Sequence, residues 1–412
     1  MPGKKLSLAL TVLPTMLIST LFVAGTGADA QTESVLHTFN NNGKDGVAPV
    51  AGLIFDASGN LYGTTLMGGA HNVGTVFELI PKAGGGWMPR VLHSFNNDGK
   101  DGYSPLAGLV SDSAGNLYGT TSQGGPKNGG VVFELSPNSG GGWTEKLLHA
   151  FNNNVPTFGS FPSASLIFDA SGNLYGTARY GGTHGSGAVF ELMPNGSGGW
   201  TEKLLHSFNN LSGDGIQPEA SLIFDGAGNL YGTTSSGGSG GTVFELTPAA
   251  GGTWTETLLH NFGNGQDGYT PLASVIRDAA GNLYGTTEFG GTLGFGIVFE
   301  LTPTAGGTWT ETLLHNFGNN ATDGGFSSVG LVADSAGNLY GATQKGGSLG
   351  LGTVFKLTLA GGIWAETVVH NFGGFKDGQS PQGSPIFDAV GNLYGSTYDG
   401  GVSWGTVFEI TP

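Results

Sequence analysis

The chain has 412 residues, of which 79 are glycine and none is cysteine, and its net charge is −16. A strong acidic excess without a basic run disfavours binding to nucleic acid, anionic membranes and strongly anionic polymers. Because there are no disulfides, the stability of a chain of this length must come from packing.

The first thirty residues have the pattern of a secretory signal peptide. Lys4 and Lys5 form a basic start, Leu6 to Gly25 is almost wholly apolar, and Ala28-Asp29-Ala30 is a small-x-small cleavage site. The pattern predicts export and a mature chain that begins at Gln31, and we expect it to be secreted, periplasmic or at the cell surface. An uncleaved membrane anchor is the alternative. No later apolar stretch is long enough to span a bilayer, so we expect no membrane span after cleavage.

The rest of the chain is organised by the segment Gly-Asn-Leu-Tyr-Gly, which occurs seven times. Its tyrosines are Tyr62, Tyr118, Tyr175, Tyr231, Tyr284, Tyr340 and Tyr394. They are 53 to 57 residues apart, and self-similarity at such a long period indicates a repeat architecture. A residue that is present in every repeat is most simply a structural residue, so any activity must be sought where the repeats differ.

Each repeat predicts four β-strands. In residues 218–262 the predicted strands are Ala220 to Phe224, Leu230 to Thr234, Thr242 to Leu246 and Trp254 to Phe262. Asp225 to Asn229 is predicted to form a tight turn, because the aspartate can accept hydrogen bonds from turn amides and Gly228 can take positive φ. On the fourth strand, alternation predicts one shared face for Trp254, Glu256, Leu258, His260 and Phe262.

Four antiparallel strands in about 55 residues suit a propeller blade, whose known repeats run roughly 40–50 residues. The chain ends on a third strand, Thr406 to Thr411, and after the leader it begins with an orphan fourth strand, Ser34 to Phe39. Joining the two would complete one blade and close the ring without an open edge. We therefore predict an all-β fold: residues 31–412 form a single seven-bladed β-propeller domain whose last blade is closed by the N-terminal strand. A β-solenoid would need shorter coils and capping units.

The pattern Asp-x-x-Gly-Asn-Leu-Tyr-Gly-Thr-Thr, then Gly-Gly, then Gly-Thr-Val-Phe-Glu-Leu resembles the GloVer-type tandem repeat of exported bacterial choice-of-anchor proteins. The resemblance covers essentially the whole mature chain and implies an exported bacterial protein of unassigned activity. Such proteins often carry a C-terminal sorting segment. This sequence stops at Pro412 without one, which predicts release after export or a truncated anchor. The hairpin is also similar to those of calcium-dependent lactonase propellers, but the starts of the inner strands offer only Glu219 as an acid, so we do not expect lactonase activity.

Three sets of repeated residues are predicted to be structural. The seven histidines (His37, His93, His149, His206, His260, His315 and His370) lie on different outer strands, so no two can share an ion, and we expect each to tie a strand to a neighbouring loop. The aspartates of the first turn in each repeat are expected to accept hydrogen bonds from the amide groups of that turn. The six tryptophans in Gly-Gly-x-Trp are expected to anchor packing, with a ring of sugar-stacking platforms as the alternative. The loop Asn96 to Gly102 has the oxygen density of a calcium site but lacks a terminal bidentate glutamate, so plain turn chemistry is favoured over calcium. No other cofactor or metal is expected.

Candidate site residues lie where the repeats differ, on the face that carries the loops between blades and the loops between strands two and three. Blade three departs most, with Asn154 to Pro162 in place of Asp-Gly and with Arg179, Tyr180 and His184 in its other loop. An arginine that neutralises a uronate, with Tyr or His moving the proton, would suit a polysaccharide lyase. On the same face the predicted ligand-binding residues are His71, Tyr398, Asp399, Trp404, Glu288 and Phe289, with Phe295 beside them.

Three functional hypotheses follow. The first is a non-catalytic propeller, expected to be a monomer, that binds an extracellular glycan or surface protein through its variable face. The second is a carbohydrate-active enzyme of the lyase kind that uses the blade-three residues. The third is a structural envelope protein without a small ligand.

Overall fold

The structure is a computed structural model that describes residues 31–154, 159–210, 213–263, 266–373 and 375–411. The predicted signal peptide, residues 1–30, lies outside the described residues, as do residues 155–158 of the blade-three loop. In the described part of the chain, no helix is long and apolar enough to cross a membrane. The described residues form seven antiparallel four-stranded sheets arranged in a ring, which confirms the seven-bladed β-propeller.

Each blade contains four strands in order from the channel outward, and blades are numbered along the chain. The inner strands are Ile54–Phe55, Val110–Ser111, Ile167–Phe168, Ile223–Phe224, Ile276–Arg277, Val332–Ala333 and Ile386–Phe387. The second strands are Leu61–Thr65, Leu117–Thr121, Leu174–Ala178, Leu230–Thr234, Leu283–Thr287, Leu339–Thr343 and Leu393–Gly400. The third strands are Thr75–Pro81, Asn128–Pro137, Ala188–Pro194, Thr242–Pro248, Ile297–Pro303, Thr353–Ala360 and Thr406–Thr411. The outer strands are Trp87–Ser94, Trp143–Asn152, Trp200–Ser207, Trp254–Asn261, Trp309–Asn316, Ile363–Asn371 and, in blade seven, Thr32–Thr38. A short 3-10 turn, Ala250–Gly252, precedes the outer strand of blade four.

The last blade is closed as the sequence predicted. The N-terminal strand Thr32–Thr38 pairs antiparallel with Thr406–Thr411, in a register that sets Thr32 opposite Thr411 and Thr38 opposite Thr406. This pairing completes blade seven with a strand from the other end of the chain, so main-chain hydrogen bonds close the ring and cover the edge of the third strand.

The hydrophobic cores lie between blades, not within them. One cluster joins Tyr175 and Val189 of blade three to Leu222 and Phe244 of blade four, and the other six repeat this arrangement. The tryptophans belong to these cores. Trp254, for example, packs edge-on against Tyr175 of the preceding blade with ring centroids 6.4 Å apart. Half-buried indoles in this position hold neighbouring blades together, which matches the predicted packing role.

The Gly-Asn-Leu-Tyr-Gly segment is an internal brace of the blade. In blade four the carboxylate of Asp225 accepts hydrogen bonds from the backbone N–H groups of Ala227 and Asn229, at 2.9 Å each. The Tyr231 hydroxyl reaches Asp225 at 3.3 Å and Glu245 of the third strand at 2.9 Å. A carboxylate that accepts several hydrogen bonds is stabilised in its charged form, and the pKa of Asp225 is lowered although burial acts in the opposite direction.

Two sequence predictions about strands were wrong in detail. A β-bulge in the outer strand of blade four pairs Val243 with His260 but Phe244 with Leu258, so Leu259 is an extra residue. Leu258 is consequently 43% exposed and does not share a face with Phe262, whereas Leu259 is 7% exposed. The inner strand is also shorter than predicted, because the segment from Ala220 lines the channel and the Ala220 carbonyl bonds across to the preceding blade.

Candidate functional site

A two-stranded ribbon lies at the junction of successive blades, and the sequence did not predict it. In five of them, the glycine of an Asp-Gly dipeptide and the residue after it pair with residues just past the second strand. The pairs are Gly46–Val47 with Met67–Gly68, Gly102–Tyr103 with Gln123–Gly124, Gly215–Ile216 with Ser236–Gly237, Gly268–Tyr269 with Phe289–Gly290, and Gly324–Gly325 with Lys345–Gly346. In blade seven Gly378 and Gln379 pair with Gly400 and Asp399, and before blade three Ser160 exchanges backbone hydrogen bonds with Tyr180. The ribbons join the two sets of variable loops, so these loops share one face, here called the ribbon face.

Every ribbon is followed by a residue with a left-handed backbone, and none of these is glycine. They are Ala48, Ser104, Phe161, Gln217, Thr270, Phe326 and Ser380, with φ between 53° and 60°. Such a conformation costs roughly 1–2 kcal/mol per non-glycine residue. Fixed hydrogen bonds hold it: the Ala48 N–H donates to the Trp404 carbonyl of blade seven, and the Leu66 N–H donates to the Ala48 carbonyl. The backbone of the ribbon face is thus the same at each junction, while its side chains differ.

At junction 2/3, between blades two and three, the ribbon face carries an arginine and two aromatic rings. The Arg179 guanidinium lies 5.2 Å from the centre of the Tyr180 ring, and that ring packs edge-on against Phe161 at 5.6 Å. Arg179 Nε also lies 3.3 Å from Glu219 Oε1, which belongs to the next blade and lines the central channel. Glu219 in turn accepts a hydrogen bond from Ser235 at 2.9 Å. The arginine is therefore already paired with a carboxylate.

The predicted catalytic trio is not assembled into one group. His184 lies at the exposed tip of its loop and is within hydrogen-bonding distance of Thr183 and Ser207, at 3.2 and 3.4 Å. Among the described residues, no hydrogen bond, ion pair or ring contact joins His184 to Arg179 or Tyr180. Arg179 and Tyr180 form one site with Glu219, and His184 stands apart from it.

A second aromatic group lies at junctions 4/5 and 5/6. Tyr269 stacks on Phe289 with ring centroids 5.5 Å apart and an interplanar angle of 18°, and Tyr269 is 43% exposed. Phe326 packs edge-on against both Phe289 and the exposed Phe295. The sequence pointed to Phe289 and Phe295 but missed Tyr269 and Phe326. The register of Tyr269, immediately after Asp267-Gly268, was the signal that could have located it.

Glu288 links this group to the first one. Burial raises the pKa of Glu288 above its ordinary value, and the negative charge of Glu219 raises it further. The two charges thus lie close enough to interact, although the two residues were not grouped from the sequence. We call Phe161, Arg179, Tyr180, Glu219, Tyr269, Glu288, Phe289, Phe295 and Phe326 the aromatic sector. It spans consecutive junctions from 2/3 to 5/6.

The remaining predicted ligand-binding residues lie on the ribbon face but outside this sector. Tyr398 and Asp399 are half-buried at the ribbon of blade seven, and Trp404 is exposed in the following loop. His71 is exposed in the corresponding loop of blade one. The structure therefore does not gather the predicted residues into one pocket. The channel cavity itself is about 120 Å³ and is lined mainly by Ala, Gly and Ser, with Glu219 as its only acidic lining residue in the described part.

Six of the seven repeated histidines tie an outer strand to the loop that follows it, as the sequence predicted. His37, His93, His260, His315 and His370 each place Nε2 3.1 Å from the aspartate of the following loop, namely Asp45, Asp101, Asp267, Asp323 and Asp377. His206 lies 3.7 Å from Asp214. In the candidate calcium loop, Asp101 accepts the N–H of Asn96, and Asp98 accepts those of Lys100 and Asp101. The carboxylates of this loop act as turn acceptors.

The sequence missed a glutamate that joins five of these pairs from the next blade. The clusters are His93–Asp101–Glu145, His206–Asp214–Glu256, His260–Asp267–Glu311, His315–Asp323–Glu366 and His370–Asp377–Glu33. Burial is the main cause that raises the pKa of each of these glutamates to about 7. Each glutamate precedes a histidine by four residues on its own strand, yet it contacts the histidine of the preceding blade. Sequence spacing alone could not reveal this pairing.

Comparison with known proteins agrees with the fold. A family model described as Gloeobacter/Verrucomicrobia repeat matches residues 20–240, 139–334 and 307–412. Among solved structures, the extracellular domain of a putative hybrid two component system from B. thetaiotaomicron is 12% identical with a TM-score of 0.53, over 92% of this chain and 39% of that one. A protein of unknown function from Dyadobacter fermentans is 12% identical with a TM-score of 0.47, over 93% and 98%. A putative 6-phosphogluconolactonase from Bacteroides uniformis is 15% identical with a TM-score of 0.49, over 78% and 84%. No curated protein matches the sequence.

Proposed function

Since the chain belongs to the Gloeobacter/Verrucomicrobia repeat family, whose matched segments cover residues 20–412, we propose that it is an exported, non-catalytic propeller that binds a glycan through the aromatic sector of its ribbon face. The observation that carries this proposal is the contrast between backbone and side chains on that face. Seven ribbons repeat one strained backbone, and the side chains that they present differ from junction to junction. A surface protein is the other partner class that such a face would suit.

The chemistry of the aromatic sector favours a sugar. Exposed aromatic rings suit the apolar faces of pyranose rings, and Tyr180, Tyr269 and Phe295 are all exposed there. Glu219 at the channel and Glu288 beside the ribbon of blade five add hydrogen-bond acceptors. A net charge of −16 disfavours a polyanionic ligand, so we expect a neutral glycan.

The arrangement argues against the lyase hypothesis. A lyase would need a free cationic group for a uronate carboxylate, whereas Arg179 already pairs with Glu219. It would also need a proton-transfer residue next to that group, and His184 bonds to Thr183 and Ser207 instead.

A glycan array with the full chain tests the proposal. Tyr269→Ala should weaken binding two- to tenfold, since an aromatic contact contributes about 0.5–1.5 kcal/mol beyond its buried area. Tyr103→Ala is the matched control, because Tyr103 holds the same ribbon position at junction 1/2, outside the aromatic sector. Equal losses in the two variants would contradict the proposal. Product formation on a polysaccharide panel that disappears in Tyr180→Phe would establish the enzyme instead.

A further inference from the structure

We propose that five of the seven blade junctions are binding sites for a divalent first-row transition cation, held by one imidazole nitrogen and two carboxylates and completed by solvent. In each cluster one donor atom from the histidine, the aspartate and the glutamate lies within 4.8 Å of the other two. The three residues come from three separate segments: the outer strand of one blade, the loop that leaves it, and the outer strand of the next blade.

The donor distances suit a small cation. At junction 1/2, His93 Nε2 lies 3.1 Å from Asp101 and 3.8 Å from Glu145, and at junction 4/5, His260 Nε2 lies 3.1 Å from Asp267 and 3.9 Å from Glu311. For a tetrahedral cation with bonds of about 2.0 Å, neighbouring donor atoms lie about 3.3 Å apart. Small movements of the glutamate would bring the donors to that spacing.

The clusters contain buried oxygen atoms without a hydrogen-bond donor. Asp267 Oδ1 and Glu311 Oε1 have no partner, and the Asp267 side chain is only 2% exposed. The same is true of Asp214 Oδ1 and Glu256 Oε1 at junction 3/4, where His206 Nε2 is also without a partner. Buried polar atoms are normally paired, so unpartnered acceptors that recur on the carboxylates of these clusters indicate that an electropositive group binds there.

Charge balance points to a divalent ion. Metal binding requires a neutral imidazole and deprotonated carboxylates. A cation of charge +2 would therefore balance the two carboxylates of each complete cluster without a counter-ion. An imidazole donor favours zinc, nickel or similar ions, whereas calcium prefers six to eight oxygen ligands.

The two incomplete junctions serve as internal controls. At junction 7/1, Pro89 stands where the glutamate would be, and a cavity of about 250 Å³ opens beside His37 and Asp45. At junction 2/3, the loop lacks Asp-Gly, and among the described residues His149 forms an ion pair with Glu202 only, at 3.2 Å. Lys127 supplies positive charge near that pair.

The test is a count of bound metal on the full chain. After chelation and dialysis against Zn²⁺, elemental analysis should give five ions per chain, and the unfolding temperature should rise with Zn²⁺ but not with an equal concentration of Ca²⁺. Glu311→Gln should bind four ions and show a smaller rise. Glu202→Gln, the matched change at a junction without the aspartate, should still bind five.

Several results would overturn the proposal: no saturable Zn²⁺ binding, a stoichiometry that Glu311→Gln leaves at five, or stabilisation by Ca²⁺ alone. A proton shared between the two carboxylates would satisfy the same oxygens, and it would show as stability that follows pH and ignores Zn²⁺. If Glu311→Gln fails to fold, titration of the wild-type chain with Co²⁺ remains decisive. Five equivalents with histidine-nitrogen ligation in the spectrum support the sites, and spectra of aqueous Co²⁺ refute them.

Discussion

Replacing Gly232, the last residue of Gly-Asn-Leu-Tyr-Gly in blade four, by alanine should destabilise the propeller through a single steric contact. A Cβ at this position would lie 2.5 Å from Phe244 Cζ and 2.9 Å from Leu222 Cδ2. Carbon atoms pack best at about 3.5–4.0 Å, so the phenyl ring would have to retreat by about 1 Å.

The ring has no room to retreat. Phe244 is fully buried and packs edge-on against the equally buried Phe208, with centroids 5.1 Å apart. Overpacking a core costs about 1–3 kcal/mol, and the reduced freedom of alanine in the unfolded chain offsets about 0.5–1 kcal/mol of this. We expect Gly232→Ala to lower the free energy of unfolding by about 1–2 kcal/mol, measured by urea denaturation with tryptophan fluorescence.

Gly226→Ala is the control within the same blade. Gly226 precedes the hairpin tip, a Cβ there would meet no atom within 4 Å, and the other six repeats already have alanine or serine at this position. Its free energy of unfolding should stay within about 0.5 kcal/mol of wild type.

A double-mutant cycle decides whether Phe244 is the cause. Phe244→Leu alone should destabilise by leaving a void, but combined with Gly232→Ala it should recover about 1 kcal/mol relative to the sum of the single changes. Strict additivity would refute the reasoning, because it would mean that the glycine is required for a reason other than the ring.

Two further changes test the brace and the incomplete junction. Tyr231→Phe removes the hydroxyl that reaches Asp225 and Glu245. Asp225 keeps the Asn229 side chain as a donor, but Glu245 Oε1 loses the tyrosine, which should cost about 1–3 kcal/mol in the same urea assay; an unchanged midpoint would contradict the brace. Glu202→Gln should change the pH dependence of stability, because burial raises the pKa of Glu202 from 4.5 to about 7. A carboxyl group whose pKa is raised by folding stabilises the folded state fully below pH 4.5, and this stabilisation is lost as the pH rises through 7. The variant lacks this group, so it should lose less stability than wild type between about pH 5 and pH 8. Burial lowers the pKa of His149 to about 4, so its effect on stability has the opposite pH dependence. The stabilisation from neutral His149 is complete above pH 6.5 and is lost as the pH falls through 4. Parallel stability–pH curves for the two proteins would contradict the assignment to Glu202.

The architecture could be predicted because the repeat carries it in local patterns. The period gave the blade count, and the orphan strands at the two ends gave the closure. The bulge at Leu259 could not be predicted, because Leu258 and Leu259 are both leucine and alternation alone cannot say which one faces the core. The ribbons were missed because each is only two residues long and pairs segments some twenty residues apart.

The candidate site was predicted less well, because it depends on contacts between blades. Arg179 and Tyr180 were singled out as departures from the repeat, but the partner that neutralises Arg179 comes from the next blade. The glutamates of the junction clusters look like ordinary exposed strand residues in sequence. Glu311 follows His260 by fifty-one residues in the chain, and only the packing of neighbouring blades brings the two side chains together.

The pairing of Thr32–Thr38 with Thr406–Thr411 has a consequence for how the chain folds during synthesis. The first strand to emerge has no partner until the last one arrives, so it must wait while six blades form beside it. Contacts between such distant residues slow folding, and an unpaired strand is prone to associate with other chains meanwhile. The charge of Glu33 within that strand opposes such association until the ring is complete.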